Sequence, residues 1–129
     1  DEDDVDVDVF EGAAVQRLST HAEEEGIAWT TVSDSAEGVI GIAVVRPGYR
    51  AQLHSHQEPE TYVLLEGVAH MVLGETAYTV QAPAIVNIPG GTPHAMTPHT
   101  VSVAVRMLYS FDQGPMERIN YQFHNHFLS

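Results

Sequence analysis

The sequence predicts an all-β domain that folds as a small antiparallel barrel or sandwich. Short segments rich in β-branched and aromatic residues recur along the chain, and several of them alternate apolar with polar side chains. Turn signals such as Pro47-Gly48, Gly74-Glu75 and Pro89-Gly90-Gly91 separate most of these segments. Because the chain has 129 residues and no internal repeat, we expect one domain.

The predicted strands follow one another with little but turns between them. In chain order they are Ala13–Leu18, Ile27–Val32, Val39–Val45, Ala51–His56, Thr61–Leu65, Val68–Leu73, Thr76–Val80, Ile85–Ile88, Val101–Phe111 and Ile119–Phe127. The segment Val101–Phe111 alternates regularly and therefore predicts one core face. That face consists of Val101, Val103, Val105, Met107, Tyr109 and Phe111. Gly74 supplies the positive φ of a type II′ hairpin turn, and Thr20–Glu25 is the one predicted helix.

The first ten residues differ from the rest of the chain. Asp1-Glu2-Asp3-Asp4 is a run of solvated charges, and Val5–Val9 alternates valine with aspartate, which suits only an edge strand. We therefore predict an acidic, flexible tail or edge strand over residues 1–10 and a single domain over residues 11–129.

The composition excludes several classes of function. A formal net charge of -13 argues against nucleic acid and anionic membranes as partners. Without cysteine there is no disulfide, no thiolate-bound zinc and no thiol nucleophile, and without lysine there is no Schiff-base amine. No apolar run is long enough to span a bilayer and no signal-peptide pattern opens the sequence. We therefore expect a cytoplasmic location and no membrane partner.

Four residues with metal-binding side chains are spaced as a ligand set. His54 and His56 are two positions apart, so on a strand both imidazoles point to the same face. Glu60 follows Pro59, which favours a turn or a strand edge, and His94 comes from another strand. Three imidazoles and one carboxylate suit one divalent ion, and iron, manganese, nickel, zinc and copper all accept them. The alternative is that these histidines are polar surface residues.

The spacing around the candidate ligands resembles the cupin superfamily. The first cupin motif is matched at every fixed position from Gly48 to Gly67, and the Pro-x-Gly-x-x-His core of the second motif is matched from Pro89 to His94. Pro83 and Pro98 depart from the second motif, since they stand where Gly and Asn are usual. The resemblance implies a jelly roll, which is a double-stranded antiparallel β-barrel, with the metal held inside near one mouth. It also implies a homodimer that pairs through sheet edges.

Two tyrosines are candidates for a catalytic role. Tyr62 lies two positions after Glu60 and shares its face on a strand, and Tyr121 lies near the C-terminus. A phenol beside a dication loses its proton more easily and can act as a general base. The alternative is an aromatic side chain that packs in the barrel with its hydroxyl hydrogen-bonded. The pattern His-x-His-x-x-x-Glu-x-Tyr with a downstream His and a late Tyr resembles small cupins that cleave dimethylsulfoniopropionate, which implies β-elimination.

Four further residues are predicted to line the substrate site. Arg50 and Gln52 have the parity of His54 and are expected to hold an anionic substrate, although an arginine at a barrel mouth also suits a surface ion pair. Met96 shares the parity of His94 and is predicted as pocket wall, and Trp29 is either packing or a face for a sulfonium cation. A second His-x-His pair, His124-Asn125-His126, has no carboxylate nearby and suits a surface or subunit contact.

The sequence therefore favours a cupin enzyme that holds one divalent metal and acts on a small carboxylate. A lyase is the leading interpretation, with Tyr62 or Tyr121 as base. An iron-dependent dioxygenase, an isomerase or cyclase, and a non-catalytic module that binds a small ligand stay open, because a fold does not fix a reaction.

Overall fold

The computed structural model describes residues 6–10, 13–17, 22–24 and 26–124, with side chains described from residue 26 onward. The described chain is almost entirely strand. The strands are β1 (Asp6–Phe10), β2 (Ala13–Arg17), β3 (Ala22–Glu24), β4 (Ile27–Ser35), β5 (Gly38–Val45), β6 (Ala51–Ser55), β7 (Glu60–Glu66), β8 (Val68–Leu73), β9 (Thr76–Gln81), β10 (Ala84–Ile88), β11 (His94–Pro98), β12 (Val105–Phe111) and β13 (Gln122–Phe123). Within these ranges the one helix is the single 3₁₀ turn Met116–Arg118, and no helix has the length and apolarity of a membrane span.

Two antiparallel sheets carry the fold. One has six strands in the order β10-β7-β12-β5-β4-β3, the other has five in the order β13-β6-β11-β8-β9, and β1 pairs with β2 separately. Alternate residues of both sheets meet in one hydrophobic core, as the period of two along a strand requires. Leu64 of the first sheet and Met71 of the second are both fully buried there. The prediction of an all-β double-stranded barrel is confirmed.

Glycines allow the tight connections of this fold. Gly74 has φ 64° between the paired residues Leu73 and Thr76, as predicted for the hairpin of β8 and β9. Gly67 has φ 95°, and a Cβ there would collide with the carbonyl oxygen of Ala104. This position therefore accepts only glycine without a shift of the chain that leads into β12.

The sequence predictions of one strand boundary and of one helix are wrong. The strand predicted over Val101–Phe111 begins at Val105 instead of Val101, and Val101 and Val103 are 96% and 42% exposed instead of in the core. Alternation alone cannot separate a strand from the extended loop that leads into it. The helix predicted over Thr20–Glu25 is a strand where it is described, because Ala22–Glu24 pair with β4. The segment is too short to nucleate a helix against such pairing.

The C-terminal strand is shorter than the sequence predicts. Instead of a strand over Ile119–Phe127, the chain makes the turn Met116–Arg118 and then pairs only Gln122 and Phe123 with β6. Residues 125–127 of that prediction lie outside the described residues. The boundary proposed at residue 10 stays a prediction, although β1 does place a strand over Asp6–Phe10.

Candidate metal centre

The four candidate ligands come from two neighbouring loops and the strands beside them. His54 lies on β6 opposite His94 at the start of β11, and Glu60 begins β7. The loop that follows β6 is tied to the loop before β11, because the amide of Gly91 donates a 2.7 Å hydrogen bond to the carbonyl of His56. Gly90 packs so closely on the carbonyl of Gln57 that a Cβ would collide with it. The turn that contains Gly90 and Gly91 therefore brings the two motifs together.

The ligating atoms converge on one small volume. One such atom from each of His54, His56, Glu60 and His94 lies within 4.8 Å of all the others, and all four residues are buried. Oε1 of Glu60 is 3.0 Å from Nε2 of His56 and 3.3 Å from Nε2 of His94. Buried ionisable groups at these separations need either a metal or shared protons.

Backbone carbonyls fix the orientation of all three imidazoles. Nδ1 of His54 donates to the carbonyl of Gln52 at 2.7 Å. Nδ1 of His56 donates to Glu58 and Nδ1 of His94 donates to Thr92, each at 2.8 Å. Since a carbonyl only accepts, the proton of each neutral ring is on Nδ1, and Nε2 keeps its lone pair toward the centre. This is how proteins orient histidines that bind metals.

The electrostatics of the cluster shift the pKa values of His54 and His56 in opposite directions. Burial, followed by the nearby His94, lowers the pKa of His54 from 6.5 to about 4. Burial also opposes a charge on His56, but the hydrogen bond with Glu60 and its carboxylate charge outweigh this and raise the pKa of His56. Burial likewise opposes ionisation of Glu60, yet the contacts with His56 and His94 lower its pKa. The His56–Glu60 contact therefore favours a proton on His56, and a cation bound at the centre would oppose that proton.

These four residues fit a divalent ion. Nε2 of His94 is buried and has no hydrogen-bond partner among the described residues, although it faces Glu60. A buried nitrogen lone pair without a donor is costly, and a metal ligated there would satisfy it. Three imidazoles and one carboxylate leave the ion a net positive charge and open coordination positions for a substrate.

The two predicted tyrosines both lie beside the cluster. Tyr62 is 5% exposed, and its ring is 6.0 Å from that of His94, edge to face. The ring of Tyr121 is 5.3 Å from His54 and 5.2 Å from His56. Both rings therefore pack against the candidate ligands, and a catalytic role for either tyrosine stays a prediction.

Without a cation, both phenols are held in their neutral form. Burial and then the charge of Glu60 raise the pKa of Tyr62 well above 10. The same two causes, in the same order, raise the pKa of Tyr121. A positive charge at the centre would act in the opposite direction on both groups.

Tyr109 lies in the hydrophobic core, as the sequence predicts, and it also makes a polar contact that the sequence did not predict. Tyr109 is the cross-strand neighbour of Tyr62, and its hydroxyl makes a 2.8 Å hydrogen bond with Oγ1 of Thr31. Its ring lies across Gly41, where a Cβ would collide with it. A glycine between two strand residues was the only signal of this close approach. The interior therefore contains a third tyrosine, with its hydroxyl engaged.

The predicted substrate residues are placed less favourably. Arg50 and Gln52 are exposed, and Arg50 lines a surface cavity that also includes Met96. Arg50 precedes β6, which begins at Ala51, and the pairing of β6 with β11 is irregular between His94 and Met96, so a role of Arg50 or Gln52 in substrate binding stays a prediction. Met96 is buried in the core at the next inward position along β11 from His94. Its role as pocket wall stays a prediction.

Trp29 lies farther from the candidate ligands. It is half-buried against the main core and pairs with Ala43, which in turn pairs with Met107. Glu60 pairs with Phe111, two inward positions along β12 from Met107. Trp29 is therefore packed two rows of side chains away from Glu60, and a contact with a sulfonium group stays a prediction.

Comparisons with known proteins agree with this geometry. Residues 41–111 match the family model of the cupin domain. The chain is 30% identical over 104 residues to the dimethylsulfoniopropionate lyase DddW of Ruegeria pomeroyi, a match that takes in 75% of this chain and 66% of that protein. A cupin-2 domain of Rhodospirillum rubrum superposes with a TM-score of 0.69 and 19% identity over 83% of this chain and 74% of that one.

A conserved protein of Klebsiella pneumoniae with a double-stranded β-helix domain superposes with a TM-score of 0.71 and 14% identity, over 82% of this chain and 90% of that one. The two structures share the fold, and the family model covers more than half of this sequence, including both motifs. The chain belongs to the cupin family.

Proposed function

We propose that this cupin is a metal-dependent lyase that cleaves dimethylsulfoniopropionate, or a close analogue, into acrylate and dimethyl sulfide. The observation that carries the proposal is the 30% identity to a dimethylsulfoniopropionate lyase. The chain spans about two thirds of the length of that relative, so its activity is inferred here only as a proposal. The buried ligand cluster with a phenol beside it supports the same chemistry.

Tyr62 is the proposed general base. Its side chain is buried in the barrel, and its ring is 6.0 Å from that of His94. A divalent ion bound by the four ligands would hold the substrate carboxylate and favour the phenolate form of a nearby tyrosine. Tyr62 takes the α-proton, the electrons of that C–H bond form the new double bond, and the C–S bond breaks to release neutral dimethyl sulfide. Acrylate retains the carboxylate charge.

The surrounding residues support this step in two ways. Tyr121 covers His54 and His56, which excludes water from one side of the centre. Phe111 lies edge to face against His56 at 5.1 Å and adds a second aromatic contact to that ligand. A partly desolvated sulfonium substrate is well matched to such aromatic rings.

The test compares two tyrosine variants of metal-loaded protein. Tyr62→Phe is expected to keep its metal content and to release acrylate on the order of a hundredfold more slowly or worse. Tyr109→Phe is the matched control, because it removes a hydroxyl that already bonds to Thr31 from the neighbouring strand position. Equal rates in Tyr62→Phe and the parent protein would end the assignment of the base.

The same assay separates the other classes. Acrylate release under anaerobic conditions excludes a dioxygenase, whereas oxygen uptake by iron-loaded protein without acrylate release favours one. Retained binding of small carboxylates with no turnover indicates a binding module. The homodimer and the cytoplasmic location stay predictions.

A further inference from the structure

The C-terminal segment forms a strap along the outer edge of the five-stranded sheet, and it is fastened there by a side-chain hydrogen bond. We use the name strap for residues 119–124. Gln122 and Phe123 pair with Ser55 and His54, and the amide of His124 donates to the carbonyl of Leu53 at 2.8 Å. Beyond these backbone contacts, Oγ of Ser55 and Nε2 of His124 form a hydrogen bond of 2.8 Å.

The strap is what brings Tyr121 to the candidate metal centre. Its ring contacts the rings of two candidate ligands, His54 and His56, at 5.3 and 5.2 Å. Phe123 stacks on Tyr121 at 6.4 Å and also contacts His54 at 5.9 Å. One wall of the site is therefore made by a segment that lies at the end of the described chain.

The backbone pairing of the strap is weak support for that wall. It consists of two residues at a sheet edge, and Phe123 is 64% exposed. A two-residue pairing buries little apolar area and is marginal alone. The Ser55 side chain, by contrast, is buried, and strand alternation turns it to the face opposite His54 and His56. A bond from Ser55 therefore fixes the strap to the same strand that carries two ligands, without occupying the site.

We propose that Ser55 and His124 are positioning residues, which hold Tyr121 over the metal centre through their mutual hydrogen bond. The proposal gives a role to His124, which is the first histidine of the second His-x-His pair. The sequence predicted a surface or subunit contact for that pair. The consequence for turnover rests on the proposed function, whereas the placement of Tyr121 does not. The serine between the two ligand histidines thus has a structural partner 69 positions away.

The placement is tested by the ¹⁹F spectrum of metal-free protein labelled with 3-fluorotyrosine. Tyr121 is assigned by its loss in Tyr121→Phe. Ser55→Ala and His124→Ala are expected to move or broaden the Tyr121 resonance, and the double variant is expected to do no more than either single one. The resonance of Tyr62, inside the barrel, stays unchanged.

Two controls distinguish positioning from general destabilisation. His124→Gln retains a side-chain amide that can reach Ser55, and it is expected to restore the parent position of the Tyr121 resonance. His70→Ala removes an exposed imidazole from the same sheet and is expected to change nothing. In metal-loaded protein, Ser55→Ala and His124→Ala are expected to lower kcat/KM for acrylate release roughly three- to tenfold, as the loss of one hydrogen bond predicts.

An unchanged Tyr121 resonance in Ser55→Ala and His124→Ala overturns the proposal, whatever the activity. Additive shifts in the double variant also overturn it, because they mean that the two side chains act independently. If Ser55→Ala and His124→Ala displace the Tyr121 resonance but the parent protein and both variants all lack lyase activity, the positioning is supported. That result contradicts the proposed function instead.

Discussion

The buried, neutral His54 makes the metal-free protein lose stability in acid. Its pKa is lowered from 6.5 to about 4 by burial and by His94. In the unfolded chain the imidazole takes up a proton below 6.5, while in the folded chain it stays neutral down to about 4. Because the unfolded state then binds more protons, the free energy of unfolding falls as the pH falls through this window.

The size of this loss follows from the two pKa values. Near pH 5.5, protonation of His54 favours the unfolded state about tenfold, which lowers the free energy of unfolding by about 1.4 kcal/mol. Near pH 4 the free energy of unfolding is lowered by about 3 kcal/mol. The raised pKa of His56 has the opposite sign, since it contributes stability at low pH that is lost as the pH rises through its folded value. A variant that lacks only His54 isolates the first contribution.

The assay is urea unfolding of metal-free His54→Gln and parent protein between pH 7.5 and 5.5, which stays above the sequence pI of about 4.7. The parent is expected to lose about 1 kcal/mol more than the variant over this range. His70→Gln, at an exposed position on β8, serves as the control and is expected to follow the parent. Parallel curves for parent and His54→Gln would refute the assignment of a buried neutral imidazole.

Three other predictions concern the same interior. Metal binding is expected to displace a proton from the His56–Glu60 pair, because the raised pKa of His56 favours its protonated form, so the metal affinity falls as the pH falls. Calorimetry in buffers of different ionisation enthalpy measures the protons released, and zero release in acid contradicts the prediction. Gly41→Ala forces a Cβ into the Tyr109 ring and is expected to destabilise the protein by about 1–3 kcal/mol in urea unfolding; an unchanged midpoint contradicts the packing. Gly90→Ala pushes its loop from the carbonyl of Gln57 and is expected to weaken metal binding in an equilibrium titration; parent-like affinity contradicts the role of that turn.

The candidate site was predictable where short-range spacing decides geometry. His54 and His56 lie two positions apart on a strand, and the turn from Pro89 to Gly91 returns the chain to them, so the motifs alone locate the cluster. The same parity argument assigns no face to Arg50, because the strand begins after it and its pairing is irregular. Alternation predicts a face only while the chain stays in a regular ladder.

Contacts between residues far apart in the chain could not be predicted from the sequence. Thr31 and Tyr109 are 78 positions apart and meet because β4, β5 and β12 are adjacent in one sheet. Ser55 and His124 meet because a short C-terminal strand returns to β6. Neither pairing has a local signal, since strand order is a property of the whole fold. The sequence therefore located the ligands and missed the residues that orient their surroundings.

The most direct test of the account is the coordination of the metal itself. X-ray absorption of metal-loaded protein is expected to show one ion per chain with the scattering of three imidazoles and one carboxylate oxygen. His54→Ala and His94→Ala should each lower the affinity, while His70→Ala should leave it unchanged. An ion without imidazole scattering, or full metal content in the double variant His54→Ala with His94→Ala, would contradict the assigned centre.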